Sequence, residues 1–397
     1  LIARCYLAKQ YGIKRGTSVQ EAQRLCPQIA LPIARHDEYV RLHQKILALI
    51  NRHVPVRKVW SIDEMECCLK ANERAQAIQI AKAIKRDLAE AFGPDLTCSI
   101  GLAPNQFLAK VAAEMDKPNG LVVLHPEDLP GRLLDLDLTD LPGVSANMER
   151  RLNAAGILTV AQLWQMPPKQ ARAIWRSVEG ERLWAQLRGF AVTRPETERR
   201  MFGHGRVLSG EWRKPAKARD CLRLLTAKAA RRLRREGYTA SALSVSLASR
   251  DNRRWQRETR FFPARDDHTF LHEACTLFAV GVKALNHGPL KKLSVMLHGI
   301  DLEGQTSEDL FEQGLARTER RRWEALTEVM DQLNARHGAC LVSLGPRHEP
   351  PGGYAGAKIA FGRVPDLNDF ALTPEAARAQ AAEVAAIMGG KDFETTA

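Results

Sequence analysis

Residues 59–69, Val-Trp-Ser-Ile-Asp-Glu-Met-Glu-Cys-Cys-Leu, set two adjacent acids, Asp63 and Glu64, directly behind an apolar run of Val54, Val56, Val59 and Trp60. Strand side chains alternate between faces, so neighbouring carboxylates at a strand end point apart and serve two different partners. Burying such a pair beside Ile62 costs free energy unless positive charge compensates it. A divalent cation is the natural compensator, because hard cations prefer carboxylate oxygens. Taken alone, Asp63 also fits an ordinary turn acid closing a strand; the surrounding segments decide.

Helical spacing flanks the acid-bearing strand on both sides. Before it, Val40, Leu42, Ile46, Leu47, Leu49 and Ile50 predict a helix over 37–52; after it, Ile78, Ala81, Ile84 and Leu88 predict one over 73–92. A strand is expected at 98–102, a helix at 105–115, a Lys117-Pro118-Asn119-Gly120 stop and a final strand at 121–124. Strands alternating with helices over 54–124 indicate one α/β layer. Ahead of it, Ser18 and Glu21 fit a capping box at the start of a helix ending before Pro27.

Past His125-Pro126 the pattern becomes helical. Leu141-Pro142-Gly143-Val144 leads into a helix over 147–155, and a second helical pair is expected over 160–190. Residues 203–300 read as another α/β unit. It has a helix over 216–236 striped by Leu222, Leu225, Ala229 and Leu233, and alternating strands at Leu243, Val245, Leu247 and at Leu293, Val295, Leu297. Residues 305–322 are polar and read as flexible, 322–337 as one more helix, and Ala-rich helical spacing recurs near 374–387.

The chain has 397 residues and a formal net charge of +13. That length allows roughly two to four domains, and so basic a globular chain points to a polyanion, nucleic acid before membrane. Residues 211–260 hold 15 Lys or Arg against 5 Asp or Glu, a net of +10, so most of the surplus lies in one window. The 8 cysteines include no C-x-x-C pair and no zinc spacing, which suggests free thiols in a reducing compartment. No apolar run approaches the ~18 residues of a membrane span and no signal pattern opens the chain. The expectation is a cytosolic, nucleoid-associated bacterial protein.

Four features occur in a fixed order. Tyr6 and Lys9 come first, then Ser61-Ile-Asp63-Glu64, then Ser99-Ile-Gly-Leu-Ala-Pro-Asn105 running into Leu108-Ala-Lys110-Val, and last Asp116-Lys117-Pro118-Asn119-Gly120. In this the chain resembles the Y-family DNA polymerases, the translesion enzymes that include bacterial DNA polymerases IV and V, from residue 1 to about 300. The resemblance implies an α+β multi-domain chain with the polymerase right-hand architecture: partial fingers over 1–34, palm 35–124, helix-hairpin-helix thumb 125–192, linker 193–202, α/β little finger 203–300 and tail 301–397.

It also implies template-directed addition of deoxynucleotides to a primer 3′-end, with two Mg²⁺ ions clamping the attacking and leaving oxygens. Asp63 and Glu64 would be the catalytic, metal-holding acids, with Glu64 beside the primer 3′-hydroxyl. Tyr6, Lys9 and Lys117 would meet the incoming triphosphate; Lys9 stands where Arg is common, so bidentate contact is lost there. Lys110 reads equally as a surface lysine on a packed helix.

Gly143 would offer backbone N–H groups to a DNA phosphate, although Ser145 stands where a second glycine is usual and a simple helix cap also fits. Arg231, Arg232 and Arg235 on the basic helix, and Arg250, Arg253 and Arg254 beyond the next strand, would bind primer–template DNA in a sequence-tolerant, salt-dependent way; a solvated charged face is the other reading. Ser307-Glu-Asp-Leu310-Phe311 is similar to the Gln-Leu-x-Leu-Phe peptide that docks bacterial polymerases on the sliding clamp, with Leu310 and Phe311 as anchors. Its leading Gln and first Leu are absent, and an amphipathic turn packing on its own domain fits as well.

One departure bears on activity. In this family a further metal-binding Asp and an aromatic gate against ribonucleotides lie near the N-terminus, whereas Leu1 already aligns with the fingers. The expectation is that several tens of residues are missing from the sequence. If the gene itself is truncated, the metal site is one carboxylate short and the chain as written is inactive. The alternative function is a non-catalytic, polymerase-like DNA-binding accessory. A monomer is expected.

Overall fold

The structure is a computed structural model describing residues 1, 3–32, 36–194, 198–304, 314–337 and 342–346. The chain divides into two compact units, one over residues 1–195 and the other beginning at Glu196.

The first unit begins with two short helices, α1 (Tyr6–Gln10) and α2 (Val19–Leu25), packed around Ala8, Ile13, Ala22 and Cys26. Ser18 caps α2 by accepting a hydrogen bond from the Glu21 N–H at 3.1 Å, as its position predicts. The long helix α3 (His36–His53) follows, then the strands β1 (Val56–Val59) and β2 (Met65–Cys67), which pair as an antiparallel hairpin. Helix α4 (Ala77–Phe92) leads to β3 (Ile100–Leu102), α5 (Gln106–Met115) and β4 (Leu121–Val123); β3 and β4 pair in parallel.

The expected single α/β layer is therefore two separate ribbons, β1–β2 and β3–β4, with no ladder between them. Helical packing joins them instead. Leu49, Ile50 and Val54 from α3 and its end, with Ile84 and Leu88 from α4, form one core that takes in Val56 and Met65 of the first ribbon and Ile100 of the second. The strand pattern shows which faces are apolar, but not which edges are joined.

Gly101 sets how closely α5 lies on β3. A Cβ there would fall 1.9 Å from the Ala109 carbonyl oxygen, so only glycine permits this approach. A continuous core runs from Leu108 and Val111 of α5 through Val122 into the following helices: α6 (Ala146–Ala154), α7 (Val160–Gln165), α8 (Pro168–Trp175) and α9 (Glu179–Leu187). The expected helical pair over 160–190 is three helices. Pro167 and Pro168 end α7 and start α8, and Arg176, at a φ of 54°, stops α8.

The second unit is an antiparallel sheet in the order β5 (Met201–Val207), β8 (Leu290–Leu302), β6 (Tyr238–Ser249), β7 (Arg254–Ala264). Helices α10 (Pro215–Arg235) and α11 (Asp267–Ala284) pack on one face. Leu243, Val245, Leu247, Leu293, Val295 and Leu297 are fully buried beneath them, together with the Leu222–Leu233 stripe of α10. Helix α12 (Gly314–Arg336) begins eight residues earlier than its apolar spacing indicates, which corrects the flexible reading for 314–322. It packs through Trp323, Thr327, Met330 and Asn334, one residue per turn, so the arginine-rich first turns present little apolar signal. Leu310, Phe311 and the Ala-rich stretch near 374–387 lie outside the described residues.

Candidate active site and nucleic-acid interface

Asp63 and Glu64 lie at the tip of the β1–β2 hairpin rather than at a strand end with opposed side chains. The N–H groups of Trp60 and Ser61 both donate to the Glu64 carbonyl, at 2.9 and 3.1 Å, and so close the chain over Ser61–Asp63. The Ser61 hydroxyl donates to Asp63 Oδ1 at 2.5 Å. Turn chemistry of Ser and Asp wins over strand extension here, and it leaves both carboxylates exposed.

Two contacts hold this tip. From below, His43 of α3 is 4 % exposed and places Nδ1 2.7 Å from the Ile62 carbonyl oxygen. A carbonyl only accepts, so Nδ1 carries the proton and donates. Burial lowers the His43 pKa, outweighing the opposing effects of that hydrogen bond and of the Asp63 charge. From the side, Lys110 of α5 forms an ion pair with Glu64. Lys110, which also reads as an ordinary surface lysine, thus belongs to the acidic tip. His43 escapes a reading focused on charged motifs. Its signal is its register: with Val40, Leu47 and Ile50 it occupies the apolar stripe of α3, a polar ring where a hydrophobe is expected.

The other sequence-chosen residues stand apart from the tip. Tyr6 and Lys9 lie one turn apart on α1, both exposed. Lys117 follows the end of α5 and pairs with Glu114 at 2.6 Å. Among the described residues no hydrogen bond or ion pair joins Tyr6, Lys9 or Lys117 to Asp63 or Glu64, and no group of three or more His, Cys, Asp or Glu forms a metal cluster.

The donor chemistry nevertheless fits a hard divalent ion of the magnesium type. Such ions are held by one or two carboxylates completed by water and substrate phosphates, and adjacent exposed oxygens on a propped turn meet that description.

Gly143 has a φ of 89° at the turn before α6, between the buried Leu141 and Val144. That left-handed backbone is natural only to glycine. The element before this turn is a single 3₁₀ turn, Leu138–Asp140, not an α-helix.

In the second unit the arginines divide into two sets. Arg231 of α10 faces Asp331 of α12 at 3.7 Å, and Arg232 lies 3.4 Å from His204 and over the Phe202 ring. Arg235 is exposed at the end of α10. Arg234, part of the same basic run, is buried between Asp267 at 2.8 Å and Asp331 at 2.6 Å. Arg231 and Arg234 therefore fasten α12 and α11, which a charge count cannot distinguish from a solvated face.

Arg250, Arg253 and Arg254 lie exposed at the β6–β7 turn, Arg253 paired with Asp251 at 2.6 Å. From Arg254 the edge strand β7 continues with Gln256, Glu258 and Arg260 on one face, in register with Ala248, Ser246, Ser244 and Ala242 of β6. Their β8 and β5 partners include Ser294, Met296, Gly203 and Gly205, so the middle of the face opposite the helices is built mostly of Ser, Ala and Gly, with Met296 among them. That geometry admits a polyanion's backbone close to the sheet, flanked by arginines at its edge.

No helix among the described residues is long and apolar enough to cross a membrane.

Residues 1–114 match the model of the impB/mucB/samB family, and residues 199–310 match that of the impB/mucB/samB family C-terminal domain. A DNA polymerase IV of Moorella thermoacetica is 30% identical over 354 residues, covering 86% of this chain and 85% of its own. A DNA polymerase IV of Pelotomaculum thermopropionicum is 28% identical over 350 residues, covering 85% of this chain and 84% of its own. Among solved structures, the Y-family DNA polymerase chimera Dbh-Dpo4(243-245)-Dbh is similar in fold, with a TM-score of 0.64 at 22% identity over 75% of this chain and 86% of that one.

Proposed function

Because this chain belongs to the impB/mucB/samB family of Y-family translesion DNA polymerases, we propose that the hairpin tip bearing Asp63 and Glu64 is its nucleotidyl-transfer centre. The chain is a template-directed DNA polymerase of the translesion type and depends on divalent metal, as its family does. The non-catalytic accessory is not favoured, since a scaffold has no use for the exposed acids or for Lys117.

The single observation that supports this assignment is the acidic turn itself, in which two exposed carboxylates are held by a buried His43 and flanked by Lys110. Asp63 and Glu64 would hold Mg²⁺, two ions in the family pattern. A bound ion of this kind supplies charge neutralisation at the transferring phosphoryl group. The chain's own groups do the rest. Glu64 would sit beside the primer 3′-hydroxyl, and Tyr6, Lys9 and Lys117 would receive the triphosphate as hydrogen-bond donors and point charges.

Primer–template DNA would lie on the face of the second unit opposite the helices, with Arg250, Arg253 and Arg254 against phosphates. Arg231, Arg232 and Arg235, on the helix-covered side of the sheet, would meet only DNA that passes the sheet's edge, and Gly143 would present the N–H groups of its turn. Leu310 and Phe311 would anchor the sliding clamp, and the protein would act as a monomer at the nucleoid.

Primer extension opposite an abasic template site tests the assignment. Mg²⁺-dependent incorporation that Asp63→Asn abolishes supports it. Incorporation unaffected by Asp63→Asn and Glu64→Gln contradicts it.

A further inference from the structure

The loop 116–120, which carries Lys117, is held from two sides. Lys85 reaches out of α4 and its ammonium donates to the Cys98 carbonyl at 2.7 Å, the Asn119 carbonyl at 2.8 Å, Asn119 Oδ1 at 2.5 Å and the Gly120 carbonyl at 3.3 Å. On the other side the Ser99 hydroxyl accepts from the Gly120 N–H at 3.2 Å and lies 3.5 Å from the Asp116 carbonyl, to which it donates. The loop is wound tightly: a Cβ on Gly120 would fall 1.9 Å from the Asp116 carbonyl oxygen, and Asn119 has a φ of 61°.

An ammonium has three protons, and these four oxygens use all of them. None of the four is a carboxylate, so the contact is more than a surface ion pair. It gathers main-chain dipoles from the approach to β3 and from the turn before β4 onto one charge, and charge-assisted hydrogen bonds are the stronger kind. Lys117 has no comparable tether of its own. Its pair with Glu114 is exposed on both sides, and exposed pairs contribute little. Where the Lys117 side chain starts from is therefore decided by the loop backbone, which Lys85 and Ser99 hold together, Lys85 with the larger number of bonds.

We infer that Lys85 is a positioning residue for the incoming triphosphate: it fixes the 116–120 loop so that Lys117 meets the phosphates. The inference rests on the reading above that Lys117 contacts the triphosphate. Lys85 touches neither substrate nor metal and acts through Lys117 alone.

A double-mutant cycle separates this role from general support of the fold. The readout is the Kd of a correct deoxynucleoside triphosphate for the full chain bound to a dideoxy-terminated primer–template with Mg²⁺. Lys117→Ala is expected to weaken binding about tenfold. Lys85→Met should do the same in the wild-type background and change nothing further in the Lys117→Ala background. Lys85→Arg should restore most of the affinity. Asn119→Gly keeps the left-handed backbone and deletes one acceptor, so it should give a smaller loss and stands in should Lys85→Met fail to fold.

If Lys117→Ala weakens binding and Lys85→Met does not, or if Lys85→Met costs as much with Lys117 absent as with it present, the inference is overturned and the triphosphate reading stands. If Lys117→Ala leaves the Kd unchanged, both are overturned.

Discussion

Lys110 and Glu64 form an ion pair across the gap between α5 and the β1–β2 hairpin, 46 positions apart in sequence. The cation therefore shares a carboxylate with whatever metal the tip binds. Because both side chains are partly exposed, the pair contributes at most about 1 kcal/mol. Lys110→Met should leave thermal stability nearly unchanged and lower the Mg²⁺ midpoint of nucleotide binding by no more than about fivefold. Titrating Mg²⁺ against nucleotide binding checks this; a raised midpoint would show that Lys110 supports the bound ion instead of competing with it.

His43 has no direct path to substrate, yet its imidazole N–H fixes the carbonyl immediately before Asp63. Groups that orient metal ligands from behind typically matter about 10–100-fold in metal affinity. His43→Ala should weaken Mg²⁺-dependent nucleotide binding within that range, and His43→Asn, which retains a donor, should recover part of it. Equal affinity in all three proteins would remove His43 from the account.

The two arginine sets differ in what already occupies them, and salt titration of DNA binding should separate them. Arg250→Ala and Arg254→Ala should each reduce the slope of log affinity against log salt by about 1. Arg231→Ala, whose guanidinium faces Asp331 at 3.7 Å, should reduce it by less. The reverse ranking would place the DNA on the α10 side of the sheet.

Asp87 of α4 sits 2.8 Å from His53 at the end of α3. Burial raises its pKa, but hydrogen bonds from Arg86 and His53 and their charges outweigh that, and its carboxyl lies below its usual range. A depressed folded pKa binds fewer protons than the unfolded chain, so stability rises with pH through that window. The contribution is complete above the unfolded carboxylate range, near pH 4, and is lost as pH falls through the folded value. Urea unfolding between about pH 2 and 5 should show a shallower acid decline in Asp87→Asn than in the wild type. Identical declines would contradict the assignment.

Much of this was legible in sequence because it follows from local chemistry. The stripes of α3, α4 and α10, the Ser18 cap and the alternating strands at 243–247 and 293–297 each report a face turned from water. Asp63, Glu64 and Lys117 could be singled out because they belong to an ordered set of motifs that resembles the Y-family polymerases. Relationships between distant segments were not legible. Periodicity does not say which strand edges pair, so two ribbons look like one layer. Nor does it say that Arg234 is buried between two aspartates while Arg235 is exposed, since adjacent arginines carry the same charge. Lys85 was invisible for the same reason: its partners are main-chain oxygens, which have no residue-specific signature.

The most direct test of the central claim is nucleotide binding on a dideoxy-terminated primer–template, measured with Mg²⁺ and with chelator, for the wild type, Asp63→Asn and Glu64→Gln. Carboxylates that hold a divalent ion against the triphosphate predict tight binding only with Mg²⁺, and at least about a tenfold loss in either variant. Binding that is equally tight under chelation, or unchanged in both variants, would contradict the assignment of this hairpin as the metal centre.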